Sequence, residues 1–514
     1  MEFNSKNKDI IGKAFFALSF IILIYMFITP LNQLILHVDE YFTLTIVNFN
    51  VGDLINTTAA DVHPPLYYLI LKFGMYLSGL FGISSHNLYV VRLVSIIPYP
   101  IIMAISYLKI RKDYGWLTAG LFTFSLGIMS EFFLYFLIAR MYSWAILFIL
   151  IAFIYTKEIF TTGKIKYWAI VTVASVLCAY THYFAAISAV CLYLIIIYYV
   201  IAKNRSQIKH LFISIVAAVL LYLPWVFTLL NQLTAIHKGF WVPRVRFDTL
   251  IQSVGYYAHC GDSIFAIIAI IILIAIAYMY KKQLKEKYTL DNFYILTGFG
   301  VYIGTIALAL IVSLTFKSIL LARYLMPAAA VLWLAISILI SKIEDKKTMI
   351  CSFALICLLL IAGTAHMVNT NMTVYNEGLT KESVFNQITQ DENASLVLAR
   401  LNGVIYFLDY SDRVDTYCVR YTYVFGHKMD ELHETFNFKD TSENDISDLV
   451  KNNTDRHFYL VNIMTWGDLN LNPEINKTTL LSDQGIEISK LTVNETRKYI
   501  TPFSLARTSD AFSS

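Results

Sequence analysis

Long apolar stretches alternate with short polar segments over roughly the first two thirds of the chain. A helix needs about 20 mostly apolar residues to cross the hydrocarbon core of a bilayer. The pattern predicts eleven transmembrane helices, at residues 11–35, 88–109, 116–138, 143–160, 167–180, 184–202, 211–230, 264–280, 293–314, 324–340 and 349–367. A further apolar stretch, residues 63–81, fits either another span or a helix on the membrane surface.

Lysine and arginine decide between these two interpretations, because basic residues collect on the cytoplasmic side of membrane proteins. With eleven spans, all six basic clusters fall on one side, beginning at Lys6, Lys109, Lys157, Lys203, Lys281 and Lys342. A span at 63–81 would place the first cluster opposite the other five. We therefore predict a surface helix at 63–81, with Pro64 and Pro65 in its first turn, inside an outer loop of residues 36–87.

The rest of the chain, residues 368–514, is polar and is predicted to lie outside the cytoplasm. Apolar runs at 395–399, 416–421 and 457–461 resemble strands, and helical stretches separate them. This alternation predicts a small α/β domain. The expected organisation is a transmembrane domain of residues 1–367 followed by an extracytoplasmic domain of residues 368–514.

Composition supports a polytopic, multi-pass protein of the cell membrane with a cytoplasmic N-terminus. Hydrophobic residues make up 57% of the 514 residues, and charged residues only 15%, whereas soluble domains carry roughly 25% charged residues. The net charge of +4 gives no reason to expect nucleic acid as a partner. The six cysteines form no CxxC pair, so no disulfide framework is predicted.

Ionisable residues concentrate at the predicted outer ends of the spans. Taken singly, each has an ordinary interpretation: an acidic helix cap, a structural histidine, or an arginine that reaches toward lipid headgroups. The set comprises Asp39, Glu40, Asp61, His63, Arg140, His182 and Arg323. Transporters carry such groups near the midplane of the membrane, where this sequence has Glu131 in the third span. The one-sided set indicates a site that faces outward.

Transfer of a group from a lipid-linked phosphate suits this arrangement. A carboxylate can act as general base toward an acceptor hydroxyl, and arginines can neutralise the departing phosphate. The lipid tail would lie between helices. Asp39, Glu40, Asp61 and His63 carry donors that suit a divalent metal, which stays open as a cofactor, although their spacing matches no metal motif and no metal site is predicted.

Six motifs occur in order along residues 11–340: HVDEYFT, DVHPPLYYLILKFG, NLYVVRLVSIIP, ARMYSW, THYF and ARYLMP. Together they resemble the protein O-mannosyltransferase-like branch of the GT-C glycosyltransferases. The resemblance implies that a membrane enzyme transfers a monosaccharide, with inversion, from a polyprenyl-phosphate or dolichyl-phosphate donor. The acceptor would be a protein, a lipid or a lipid-linked glycan outside the cytoplasm.

The resemblance also implies roles for individual residues. Asp39 matches the catalytic base, with Glu40 as an alternate base or acceptor-orienting residue. Donor or acceptor contacts are implied for Asp61, His63, Arg92, Arg140, Tyr142, His182, Arg323 and Tyr324, with the arginines on the phosphate. The chain departs from many relatives at Leu137 and Ile138, where they carry a Gln-Glu pair.

Three other functions remain as alternatives. An oligosaccharyltransferase would share the fold, but it should carry a WWDYG-like motif, whereas the nearest sequence here is Trp466-Gly467-Asp468. A lipid-glycan flippase or transporter would lack transferase activity. A sensor or scaffold would use the polar C-terminal region as its working part. The sequence identifies neither the sugar nor the acceptor, because folds of this kind serve many substrates.

Overall fold

The computed structural model of the protein describes residues 5–32, 38–83, 88–238, 242–257, 263–284, 289–399, 414–419, 437–463, 469, 471–483 and 486–494. The chain divides into two compact units, Met1–Gly378 and Leu379–Ser514. The Trp466-Gly467-Asp468 stretch considered above lies outside the described residues.

The first unit is helical. Its α-helices are α1 (Ser5–Asn32), α2 (Val38–Asn48), α3 (Val51–Ala60), α4 (Leu66–Leu80), α5 (Leu88–Ile96), α6 (Pro98–Ile105), α7 (Arg111–Tyr114), α8 (Trp116–Ile128), α9 (Ser130–Leu137), α10 (Tyr142–Thr162), α11 (Ile165–Thr181), α12 (Tyr183–Lys203), α13 (Ile208–Lys238), α14 (Phe247–Tyr257), α15 (Ser263–Leu284), α16 (Leu290–Thr315), α17 (Met326–Lys342) and α18 (Lys346–Gln390). A π-helix, Ser106–Ile110, joins α6 to α7, and a short 3-10 helix, Ala322–Leu325, precedes α17.

Apolar helices long enough to cross a membrane confirm a polytopic, multi-pass membrane protein. Within the described residues, eight helices are long and apolar enough to cross a membrane, or nine if the bent pair α8 and α9 forms one span. Eleven were predicted, and each predicted span overlaps one or more of these helices. The two predicted spans that are not counted lie in α11 and α15. Helix α11 has only 17 residues, and the apolar part of α15 that the structure describes, Ile267–Ile276, is shorter still.

The predicted third span is broken. Helices α8 and α9 meet at an angle of 73°, because Met129 between them adopts an extended backbone with φ −69° and ψ 114°. The break directs α9 and the short turn after it, residues 138–141, toward the start of α10. That turn carries Arg140.

The helices pack closely where glycines face each other. A Cβ atom added to Gly120 of α8 would lie 1.9 Å from the carbonyl oxygen of Gly12 in α1. Only glycine therefore permits this contact, as is common between membrane helices. Helix α17 packs on α8, α10 and α16. In the most apolar stretch of Ala322–Lys342, which includes this helix, 94% of the residues are buried.

The stretch between the first two long spans folds into α2, α3 and α4. Pro65 caps α4, so the helix begins just after the proline pair and lies within the predicted range 63–81. Lys72 of α4 donates to the carbonyl oxygens of Val47 and Phe49, at 2.9 and 2.7 Å, at the end of α2. These bonds hold α4 beside α2. The location of α4 on the membrane surface stays a prediction.

The second unit is a small α/β domain, as the alternation predicts. Its strands are β1 (Ala394–Leu398), β2 (Asp415–Val419), β3 (Lys439–Thr441), β4 (His457–Ile463), β5 (Ile475–Asp483) and β6 (Ile486–Val493), with α19 (Asp445–Asn452) between β3 and β4. The sheet order is β3-β2-β1-β4-β6-β5. Strands β1 to β4 pair in parallel, while β6 runs antiparallel to both β4 and β5. The predicted domain boundary at residue 368 falls within α18.

Candidate active site

Asp39 lies in the first turn of α2 and faces two arginines. Its Oδ2 atom is 3.5 Å from Nη1 of Arg323 and 4.0 Å from Nε of Arg140. Arg323 comes from the 3-10 helix before α17, and Arg140 from the turn between α9 and α10. The side chains of Asp39 and Arg323 are each 25% exposed, whereas that of Arg140 is 5% exposed, so a ligand can reach Asp39 and Arg323 directly.

Arg140 connects Asp39 to the segment before α4. Its Nη1 lies 3.4 Å from both the backbone carbonyl oxygen of Asp39 and the hydroxyl of Thr43. Its Nη2 lies 3.4 Å from Nε2 of His63. Its Nε is buried and makes no hydrogen bond. The guanidinium therefore keeps one donor that an anionic ligand can use.

Asp61 and His63 form a carboxylate–imidazole pair beside Arg140. Asp61 Oδ2 is 2.5 Å from Nδ1 of His63. Burial favours the neutral form of Asp61, but the charge and hydrogen bond of His63 outweigh it and hold the pKa of Asp61 below its usual range. Because a carboxylate only accepts, Nδ1 of His63 carries the proton in this contact, and the Nε2 side of the ring faces Arg140.

An aromatic wall encloses the arginines. The rings of Tyr142 and Tyr324 each lie 5.1 Å from the His182 ring, between their centroids. Tyr135 packs edge-on against Tyr142 at 4.5 Å, and its hydroxyl is 3.4 Å from Nη1 of Arg323. His182 precedes α12 and its Nδ1 accepts from the amide of Phe184, which fixes the ring at the start of that helix.

An apolar cavity of about 350 Å³ opens beside this cluster. His63, His182 and Tyr324 line it together with apolar side chains of α12, α13 and α16, among them Ile187, Val190, Leu229, Leu233, Leu308 and Val312. From His182 to Val190 the wall follows about two turns of α12, or roughly 12 Å. The cavity therefore joins a charged cluster to a channel that suits a hydrocarbon chain.

Comparison with solved structures shows the same architecture. Two crystal structures of ArnT from Cupriavidus metallidurans, one bound to undecaprenyl phosphate and one in the apo state, each superpose with a TM-score of 0.53. The identities are 11% and 13%, and each match covers 93% of this chain and 97% of the other. This chain therefore shares the fold of these structures, the GT-C fold. No protein-family profile and no curated protein sequence matches it.

The structure brings most of the predicted residues together in the GT-C fold. Asp39, Asp61, His63, Arg140, Tyr142, His182, Arg323 and Tyr324 all belong to the cluster just described. The motifs that carry them lie far apart in sequence, and the bundle places them at adjoining helix ends. Their catalytic and binding roles remain proposals.

Glu40 and Arg92 are the exceptions. Glu40 is fully buried and accepts from Nε and Nη2 of Arg92, at 3.1 and 3.0 Å. It also accepts from the amide of Ala139, at 2.8 Å. Arg92 is only 2% exposed. Both side chains are buried and paired with each other, and the roles of Glu40 as alternate base and Arg92 as phosphate ligand remain predictions.

Sequence reasoning missed three residues that the structure adds: Thr43, Tyr135 and Gln232. Thr43 follows Asp39 by four positions, so helical spacing could have placed it on the same face. The other two belong to the site only through tertiary packing. Within the described residues, no group of three or more His, Cys, Asp or Glu side chains is arranged to hold a metal ion.

Proposed function

We propose that this protein transfers a sugar from a polyprenyl-phosphate or dolichyl-phosphate donor to an acceptor hydroxyl on the extracytoplasmic side of the membrane. The observation that supports this function is the position of Asp39. Its carboxylate lies between Arg140 and Arg323, next to an apolar cavity rimmed by His63, His182 and Tyr324. A base, cations for a phosphate and a channel for a lipid tail occur together.

The donor phosphate would bind Arg140 and Arg323. Charge-assisted hydrogen bonds between guanidinium groups and oxyanions measure about 2.7–2.9 Å. The contacts of Asp39 with these arginines, at 3.5 and 4.0 Å, are longer and weaker. A phosphate can therefore replace Asp39 as their partner and leave its carboxylate to the acceptor. The undecaprenyl phosphate bound in the ArnT structure supports a donor of this chemical class.

The reaction would be a direct displacement. The acceptor oxygen forms a bond to the anomeric carbon as the bond from that carbon to the phosphate oxygen breaks. The leaving electron pair stays on the lipid phosphate, which Arg140 and Arg323 stabilise, and the acceptor proton passes to Asp39. A single displacement inverts the anomeric configuration. Asp61 holds His63 so that its Nε2 meets Arg140, which keeps that guanidinium in place.

Replacement of the base tests this function. In vesicles reconstituted with the full chain, we expect Asp39→Asn to lower sugar transfer by about 10²–10⁴-fold, the usual contribution of a general base. Radiolabelled polyprenyl-phosphate sugars would serve as donors and native membrane extract as acceptor. Asp248→Asn is the matched control: it neutralises an exposed acid of α14, 57% exposed, and should leave transfer unchanged.

Other outcomes would contradict parts of the proposal. Transfer that survives in Asp39→Asn would move the base to another acid, Glu40 or Asp61. Movement of the lipid-linked sugar across the bilayer without transfer would favour the flippase alternative. A thermal-unfolding measurement on each variant separates lost chemistry from lost folding.

A further inference from the structure

Gln232 is a buried amide in a helix that buries few of its side chains. It lies in α13. Only 11% of the residues in the most apolar stretch of Arg205–His237 are buried, yet Gln232 itself is 2% exposed. Its Nε2 donates to the carbonyl oxygens of Thr58 and Ala59, at 2.9 and 3.3 Å. Its Oε1 accepts from the hydroxyl of Tyr183, which in turn accepts from Nε1 of Trp225 at 3.1 Å.

The bonds from Nε2 give hydrogen-bond partners to two carbonyl groups at the C-terminal end of α3. The last carbonyls of a helix have no partner within the helix, and a buried carbonyl without one is costly. Thr58 and Ala59 belong to the last turn of α3, and Asp61 caps that helix. Gln232 therefore fixes the end of α3, two residues before Asp61 and four before His63.

The same stretch of α13 forms a wall of the apolar cavity. Gln232 lines the cavity together with Leu229, Leu233 and Ile236 of its own helix, and His63 lines it from the segment after α3. A hydrocarbon chain in the cavity would press on these leucines and therefore on the backbone that carries Gln232. The two hydrogen bonds from Gln232 Nε2 would transmit a displacement of α13 to the end of α3.

We propose that Gln232 is a positioning residue that couples occupation of the cavity by the lipid tail to the placement of Asp61 and His63. This inference rests on the proposed function for its consequence in catalysis. A bound tail holds α13 against α3, and His63 is then held against Arg140. Without the tail the α13 wall is unsupported and the pair Asp61 and His63 is less ordered.

Hydrogen exchange tests the coupling without any need for turnover. The full chain in lipid nanodiscs would be compared with and without undecaprenyl phosphate, and peptides covering residues 54–66 would be followed by mass spectrometry. In wild type we expect the lipid to slow exchange in these peptides about tenfold, the size expected when one or two hydrogen bonds are secured. In Gln232→Met, which keeps the side-chain length but removes the amide, this protection should disappear.

Two further variants keep the test decisive. Tyr183→Phe keeps the Gln232 amide but removes the hydroxyl that donates to Oε1 and accepts from Trp225. It should lose part of the protection, so it serves if Gln232→Met folds poorly. Asn231→Leu replaces an exposed neighbour on α13 and should behave as wild type. Equal protection in wild type and Gln232→Met, or none in wild type, overturns the proposal.

Kinetics with donors of two tail lengths supply a second readout. A donor whose tail is too short to fill the cavity cannot use the coupling, so Gln232→Met should lower kcat about tenfold for the long-tailed donor and much less for the short-tailed one. A merely structural role would lower both equally and would refute the coupling. A chain that shows lipid-dependent protection but no transfer would refute the proposed function alone.

Discussion

Adjacent acids in one helix have different environments. Asp39 and Glu40 follow each other in α2, but successive residues of a helix point about 100° apart. Asp39 therefore faces the cleft, whereas Glu40 turns into the protein and binds Arg92 and the amide of Ala139. Because Ala139 precedes Arg140, the Glu40 carboxylate joins α2 to the turn that carries this arginine. We interpret Glu40 and Arg92 as residues that position Asp39 and Arg140.

Removal of one partner from this buried pair should destabilise the protein. We expect Glu40→Gln to cost about 3–5 kcal/mol in the free energy of unfolding, since the buried charge of Arg92 loses its counterion. The double variant Glu40→Met with Arg92→Met should recover much of that stability but not the rate of sugar transfer. Thermal and denaturant unfolding, together with the transfer assay, measure both effects.

Arg246 supplies the control for this measurement. Its ion pair with Asp248 has an N–O distance of 3.7 Å, and the arginine is 80% exposed. Exposed pairs contribute about 0–1 kcal/mol, so Arg246→Ala should unfold almost as wild type does. If Glu40→Gln keeps its stability and loses transfer, Glu40 takes part in the chemistry, as the sequence motif predicts.

At the scale of elements, one broken span shapes the site, and close packing holds α1 against α8. Helices α1 and α8 approach through Gly12 and Gly120, and the break at Met129 lets α9 leave the line of α8. The turn after α9 then meets the start of α2. A straight third span would carry Arg140 away from Asp39, so the break is part of the active-site geometry.

A methyl group at the contact of α1 and α8 should therefore be harmful. In Gly120→Ala the added carbon would overlap the carbonyl of Gly12, and overpacking of this kind costs about 1–3 kcal/mol. Gly79→Ala in α4 is the matched control, because a Cβ there meets nothing within 4 Å. That change should be neutral or stabilising by about 0.5–1 kcal/mol. Thermal unfolding of the two variants in the same detergent compares them, and equal midpoints would disprove the tight contact.

At the scale of the whole molecule, the direction of the helices in the membrane decides which compartment the site faces. The basic clusters fall together at the ends opposite Asp39 and Arg140, which predicts an extracytoplasmic site and a cytoplasmic N-terminus. In the proposed reaction, the donor sugar and the acceptor would then meet outside the cytoplasm.

Single cysteines test this orientation. In a chain whose six native cysteines are replaced by alanine, Asp248→Cys should react with a membrane-impermeant maleimide in intact cells. Lys164→Cys, in the turn between α10 and α11, should react only after permeabilisation. The reverse pattern would place the site in the cytoplasm and would contradict the proposed reaction.

The sequence by itself determined the properties that depend on local composition. Hydropathy located the long helices, since burial in lipid requires a continuous apolar run, and alternation predicted the small α/β domain. The ordered motifs predicted the GT-C fold, and the one-sided distribution of ionisable residues indicated where a site would lie. Asp39, Arg140 and His63 were recognisable because charges at the ends of apolar helices are expensive and few.

Only the tertiary structure decided which of these charged residues meet. Arg92 and Arg323 are the same residue type at the ends of spans, yet one binds Glu40 in the interior and the other faces Asp39. The break at Met129 was likewise invisible in the sequence. So were the contacts of Gln232, because their partners lie far away along the chain. Hydropathy predicts whether a residue is buried away from water. Packing between helices decides which side chain it then contacts.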